Sequence, residues 1–212
     1  MVSTERFPKR AEGARATRRS IVRAASELFV TRGYQATSIA QVAAEAGVGV
    51  QTVYASFGTK RAILSAAVDQ AIVGDDRPVV VNDRDWMRVV LEADDPEVRL
   101  RAYARAVRRI LDGAALMFEV LQVAASGDPE LAAAWAEAGR RRRIGVSGVV
   151  QRIGDEGRLR DGLSVDAAID VVWSMNGHEL YLHLVRDCGW TGDRYAEWLG
   201  ETFVELLLKP RA

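Results

Sequence analysis

The chain has 212 residues, 49% apolar and 27% charged, enough for one large domain or a small one joined to a medium one without covalent staples. Cys188 is its only cysteine, which excludes a disulfide within the chain and a cysteine-based metal cluster, and no apolar run approaches the roughly 20 residues that span a bilayer. The net charge of zero hides an asymmetry: residues 1–61 hold ten Lys or Arg against four Glu, a net of +6 that the rest balances, as expected where one domain meets phosphates and the other does not.

Glu5, Arg6, Lys9 and Arg10 deny the first residues the apolar stretch of a signal peptide, so a soluble, cytoplasmic protein is expected. Residues 1–13 are polar, contain Pro8 and Gly13, and have no periodicity, which predicts a disordered arm whose Lys9 and Arg10 could reach a minor groove. From Ala14 to Thr31, Ile21, Ala25, Leu28 and Phe29 recur at helical spacing, with Arg15, Arg18, Arg19 and Arg23 on other faces. This amphipathic helix is stopped by Gly33, after which Tyr34 fills a corner.

Thr37 to Phe57 reads as two short helices joined by a tight turn. Ser38 and Gln41 have capping-box spacing, and Ile39, Val42, Ala43 and Ala46 form one apolar face. Gly47 can take the positive φ of the turn, Val48 can pack into the angle, and Gly49 is a tolerable cap. The second helix, Gln51 to Phe57, turns Val53 and Phe57 inward and leaves Gln51, Thr52, Tyr54, Ala55 and Ser56 outside. A small, polar, partly aromatic face suits the major groove of double-stranded DNA, where Gln pairs with adenine, Thr and Ser read either edge, and Ala meets the thymine methyl.

Residues 15–60 resemble the amino-terminal DNA-binding domain of the TetR family of bacterial transcriptional regulators. The resemblance is carried by Arg32-Gly33-Tyr34, by Thr37-Ser38-Ile39 running into Val42-Ala43-Ala44-Glu45-Ala46-Gly47-Val48, and by Thr52-Val53-Tyr54-Ala55-Ser56-Phe57 running into Lys60. It implies that Val50, Gln51, Thr52, Tyr54 and Ser56 approach bases or sugar-phosphate, with Ser38 at the edge of the site, and that Lys60 meets a phosphate. Gly49 stands where the family often has a hydroxylated cap, and Ala55-Ser56 replace bulkier aromatic or histidine side chains.

A fourth helix is predicted from Thr59 to Val73 on the stripe Ile63, Leu64, Ala67, Val68 and Ala71, and is broken by Gly74 to Pro78. The domain boundary falls inside this helix, giving a helix-turn-helix domain over 1–60 and a larger helical domain over 61–212. Val79-Val80-Val81 has no partner strand and reads as loop. Helices follow at Arg84–Glu92, Pro96–Leu111, Ala114–Ala125, Pro129–Ile153, Val165–Arg186 and Arg194–Leu208; Asp95 and Asp128, each before a proline, are helix starts. The fold class is therefore all-α. Arg140 to Arg143 spread around a helix axis and read as a solvated, partly paired face, while Gly145, Gly148, Gly154 and Gly157 threaten to kink or break that helix.

His178 and His183 fall on different faces and cannot share a metal, no Glu-x-x-His pair appears, and Cys188 beside Asp187 lacks an activating surround. No catalytic activity, metal or cofactor is expected. All five tryptophans lie beyond residue 61. The family resemblance implies that the closing helices, with the Cys188-Gly189-Trp190 turn between them, meet a second copy in a homodimer, with Ala168, Gly177, Leu199, Phe203, Leu206 and Leu207 as interface candidates. It also implies an apolar ligand cavity for a small-molecule effector, with Trp86, Tyr103, Met117, Phe118, Leu121, Trp135, Trp173 and Asn176 as lining candidates. The absence of concentrated charge favours a largely apolar or neutral effector. The function expected is a dimeric, ligand-responsive repressor on a palindromic operator; the alternative is a helical small-molecule-binding protein whose helix-turn-helix no longer reads DNA.

Overall fold

The computed structural model describes residues 6–74 and 84–210, with side chains from residue 12 onward. Residues 1–5, the segment Asp75 to Pro78 and the Val79-Val80-Val81 run lie outside the described residues. Ten α-helices make up the described chain, which contains no strand and only an isolated antiparallel bridge between Leu159 and Leu208.

Helix α1 spans Arg6–Arg32, so the arm expected to be disordered is already helical from Arg6. Pro8 is no obstacle there, because the first-turn N–H groups of a helix have no intrahelical acceptor to lose. Three short helices follow: α2, Ile39–Glu45; α3, Val50–Phe57; and α4, Lys60–Val73. Gly74 ends α4 at φ 74°, a left-handed conformation that an L side chain resists.

The second half contains α5, Asp85–Glu92; α6, Pro96–Ala125; and α7, Pro129–Asp155, the last two opened by Asp95 and Asp128, each accepting from two first-turn N–H groups. Two expectations fail here for one reason, that glycine weakens a helix without breaking it when packing holds the helix on both sides. Helix α6 runs through Gly113 where two helices were expected, and α7 is uninterrupted through Gly145, Gly148 and Gly154.

Beyond them the opposite error appears. The span expected as one helix from Val165 to Arg186 divides into α8, Val165–Met175, α9, His178–Leu182, and a π-helical turn over His183–Asp187. Asn176 leaves helical geometry at φ −94°, ψ 18°, and Gly177 restarts the chain as an extended cap. Helix α10, Gly192–Leu207, closes the fold, capped by Thr191.

Two apolar cores result. One joins α1 to α4 through Ile21, Phe29, Val42, Val53, Ile63 and Leu64, and continues into Met117, Leu121, Ala124 and Leu131. The amino-terminal helices thus share their core with the end of α6 and the start of α7, and Arg61 adds ion pairs to Asp128 at 3.1 Å and Glu130 at 2.9 Å. The other core fills the space between α5, α6, α7, α8, α9 and α10. Helix α6 is common to both.

Candidate nucleic-acid interface

The corner between α2 and α3 is set by local chemistry. Ser38 caps α2 through the Gln41 amide at 3.2 Å, and the Gln41 side chain returns to the Ser38 amide at 2.8 Å. At the other end Gly47, at φ 68°, passes its N–H to Ala44, while the Val48 N–H reaches back to Ala43 at 3.0 Å. That pair of bonds is a Schellman turn, and the half-buried Val48 packs against the edge of the core. Helix α3 starts at Gly49 with no side-chain cap. It is held instead by Val53, which is completely buried.

With Val53 inward, the opposite face of α3 is bare. Val50 and Tyr54 are 40% and 48% exposed, large figures for side chains of their apolar area, and Gln51, Thr52 and Ala55 are exposed beside them. Ser56 is half-buried and donates to Thr52 of its own helix at 2.8 Å, so its oxygen lone pairs are what it can offer a neighbour. Ser38 stands at the end of α2 with its hydroxyl occupied by the capping box.

Lys60 is placed differently from the expectation. Its ammonium donates to the carbonyls of Tyr34 at 2.9 Å and Thr37 at 2.8 Å and lies 4.2 Å from the centre of the Tyr34 ring. Burial keeps it below the ordinary lysine value. Two of its three donors therefore brace the α1–α2 link, and one is left for a phosphate. Lys60→Ala is expected to lower the folded chain's stability by about 1 kcal/mol, visible as a reduced melting temperature, by stranding those carbonyls. An unchanged melt would mean that water replaces the ammonium without loss.

Two further side chains support the corner, one from a distance and one locally. Arg18 donates from α1 to the Ser56 carbonyl at 2.6 Å and covers the Phe57 ring at 3.9 Å, putting a positive charge at the carboxyl end of α3, where the helix dipole favours it. Thr37, 1% exposed, donates to Gly33 at 2.9 Å, fastening the link from below. Arg18 and Ser56 are far apart in sequence, so only the folded corner brings them together.

The ligand and dimer candidates divide between the two cores. Met117 and Leu121 are buried in the amino-terminal core, with Phe118 and Trp135 at its edge around His178. Tyr103 and Asn176 meet in the second core through a 2.8 Å hydrogen bond, Trp173 packs against that core, and Trp86 lies 5.7 Å from the Arg109 guanidinium. Two open clefts, of about 160 and 200 Å³, are lined by other residues, Ile72, Val73, Gly74 and Arg109 in one and mainly Arg101, Arg105, Glu197 and Glu201 in the other. Among the interface candidates, Ala168, Gly177, Leu199, Phe203 and Leu207 are buried within the single chain. Leu199, Phe203 and Leu207, spaced by four, are the inward stripe of α10, and Leu206, one position off that stripe, is 42% exposed.

An amphipathic helix laid across a helix-turn-helix, with a bare second helix and an all-helical body behind it, is the architecture of helix-turn-helix proteins that carry a larger helical body. Residues 21–67 match the tetR family of bacterial regulatory proteins. The amino-terminal domain is that of the TetR family, and the chain as a whole has the fold of its transcriptional regulators. A Mesorhizobium loti protein described as a TetR-family transcriptional regulator has 23% identity and a TM-score of 0.67 over 92% of this chain and 98% of its own. The fatty acid degradation regulator FadR of Bacillus halodurans has 16% identity and a TM-score of 0.72 over 89% and 94%. A ketosteroid transcriptional regulator of Mycobacterium tuberculosis has 16% identity and a TM-score of 0.65 over 91% and 95%. Among curated proteins none matches the chain. No helix among the described residues is long and apolar enough to cross a membrane.

Proposed function

We propose that the chain is a homodimeric, ligand-responsive transcriptional repressor that binds a palindromic operator through α3. The observation that carries this reading is the outward face of α3: Val50, Gln51, Thr52, Tyr54 and Ala55 are exposed on a helix whose opposite side is anchored by fully buried Val53. A rigid helix with a free polar face is what a major groove accepts, and two-fold symmetry doubles the otherwise short site. Arg15 and Arg23 are exposed on α1, and they are the backbone-contacting cations this reading requires.

The small-molecule part has different support. Two of the similar structures belong to proteins named for fatty acid degradation and for ketosteroids, in keeping with an apolar effector here. An effector that prefers the spacing of the two heads that misfits DNA must weaken operator binding by linkage.

The test is a footprint of the purified protein on DNA flanking its own gene, in a salt series. A two-fold symmetric protected site that survives physiological salt supports the reading. Gln51→Ala and Tyr54→Ala should then shift the preference among operator variants by about 1–3 kcal/mol at single positions. Featureless binding that vanishes with salt would sink it and favour the small-molecule-binding alternative.

A further inference from the structure

Four helices bring a buried polar cluster together in the second core, and its hydrogen-bond inventory does not close. Asn176 Nδ2 donates to the Tyr103 hydroxyl at 2.8 Å, which leaves the tyrosine proton and Asn176 Oδ1 unused. Asn176 Oδ1 is buried without a partner, and so is the hydroxyl of Tyr195, a residue with no exposed surface.

Arg142 reaches the same region from α7. It was expected on a solvated face with its neighbours, but its guanidinium covers the Trp173 ring at 4.9 Å and would lie 3.0 Å from a Cβ on Gly177. Arg140 and Arg141 pair with Glu137, and Arg143 with Asp170. Among the described residues no carboxylate comes within ion-pair distance of Arg142, although Glu179 lies beside it across Gly177 and its charge favours the guanidinium. Burial pushes the Tyr103 hydroxyl up to about 12 and raises that of Tyr195 as well, while the Arg142 charge pulls both the other way, so the three groups act on one another.

The imbalance has a sign. The two tyrosine protons face one unpartnered acceptor, Asn176 Oδ1, and the carboxylate nearest the guanidinium, that of Glu179, already meets His178 Nδ1 at 3.0 Å and Gln122 at 3.3 Å. Buried polar groups left unmade are rare and costly, and a surplus of donors beside an arginine calls for an acceptor-rich anion. Each of these groups has an aromatic neighbour: Trp173 lies 4.9 Å from the Arg142 guanidinium, Phe203 6.3 Å from the Tyr103 ring and Trp198 6.3 Å from the Tyr195 ring.

We propose that Arg142, Tyr195, Tyr103 and Asn176 form the head-group site for a small organic acid with an apolar body, its carboxylate taking the guanidinium and tyrosine donors. This rests on the ligand-responsive reading above, and names the class of effector as a monocarboxylate rather than a neutral molecule.

The probes are dodecanoate and 4-phenylbutyrate, each paired with its primary alcohol and titrated into the full chain by tryptophan fluorescence. At least one acid should bind, with its alcohol tenfold or more weaker. Arg142→Gln and Tyr195→Phe should each weaken the acid by on the order of tenfold to a hundredfold and leave the alcohol unchanged, with thermal melts reporting that both variants are folded. Equal affinity for acid and alcohol, no binding of either acid, or wild-type affinity in both variants would overturn the proposal. Anisotropy of an operator fragment in the same titration keeps the two readings apart. An acid that binds without changing operator affinity overturns ligand responsiveness and leaves the carboxylate site standing; an alcohol that releases the operator as well as its acid does the reverse.

Discussion

Arg99→Met is expected to lower the stability of the folded chain by about 3 kcal/mol, read as a fall in the urea midpoint at unchanged slope. Arg99 is 1% exposed and grips both oxygens of Glu156 at 2.8 and 3.0 Å. The same guanidinium donates to the Ala93 carbonyl at 2.8 Å and the Asp94 carbonyl at 3.2 Å, which ties the α5–α6 link to the end of α7. Methionine keeps the apolar stem and removes the donors, so the loss measures unpaired groups rather than a cavity. The Glu156 side chain is 30% exposed and also meets Arg152 at 3.1 Å, so water and a second cation recover part of the loss and set the lower end of the range for breaking a buried pair.

The pH dependence follows in sign. Arg99 foremost holds the Glu156 carboxyl below its ordinary value of 4.5. A depressed carboxyl stabilises the fold fully above the unfolded value and loses that contribution as pH falls through the folded one. Wild type and Arg99→Met should therefore converge in stability as the solution is acidified below about 4.5. A loss under 1 kcal/mol at neutral pH, or curves that stay parallel into acid, would contradict the role given to this cluster.

Local chemistry made the helix-turn-helix corner readable, because capping box, Schellman glycine and apolar face all lie within the span of residues 37–57 and point the same way. The all-helical class was readable for the same reason, with Asp95 and Asp128 marking starts that depend only on neighbouring residues. What stayed hidden was settled at a distance. Lys60 meets the carbonyls of Tyr34 and Thr37, and no spacing rule distinguishes that ammonium from one held for a phosphate. Arg142 shares a four-arginine run with three surface-paired neighbours, and no spacing within the run tells that it is the one brought to 4.9 Å from the Trp173 ring beside Gly177. The stripe of Leu199, Phe203 and Leu207 was legible as apolar, but an apolar stripe does not say whether its own chain or a second copy covers it.

Glycine gave the least reliable signal, and a matched pair of substitutions shows why. Gly113→Ala is expected to destabilise the chain by about 1–2 kcal/mol, while Gly148→Ala is expected to stabilise it by roughly 0.5–1 kcal/mol. Both sit inside long helices, where alanine should help through propensity alone. A Cβ on Gly148 would meet nothing within 4 Å. A Cβ on Gly113 would come 2.7 Å from the Ala71 carbonyl oxygen, backbone that cannot rotate away. Helix α4 must then withdraw from α6, which like α7 has residues in both cores. Thermal melts of the two variants beside wild type decide the matter by sign: opposite shifts mean that Gly113 is kept for the close approach of α4 and α6. A shift in the same stabilising direction would mean that α4 yields freely, and α6 could not then pass a displacement in the second core to the helix-turn-helix.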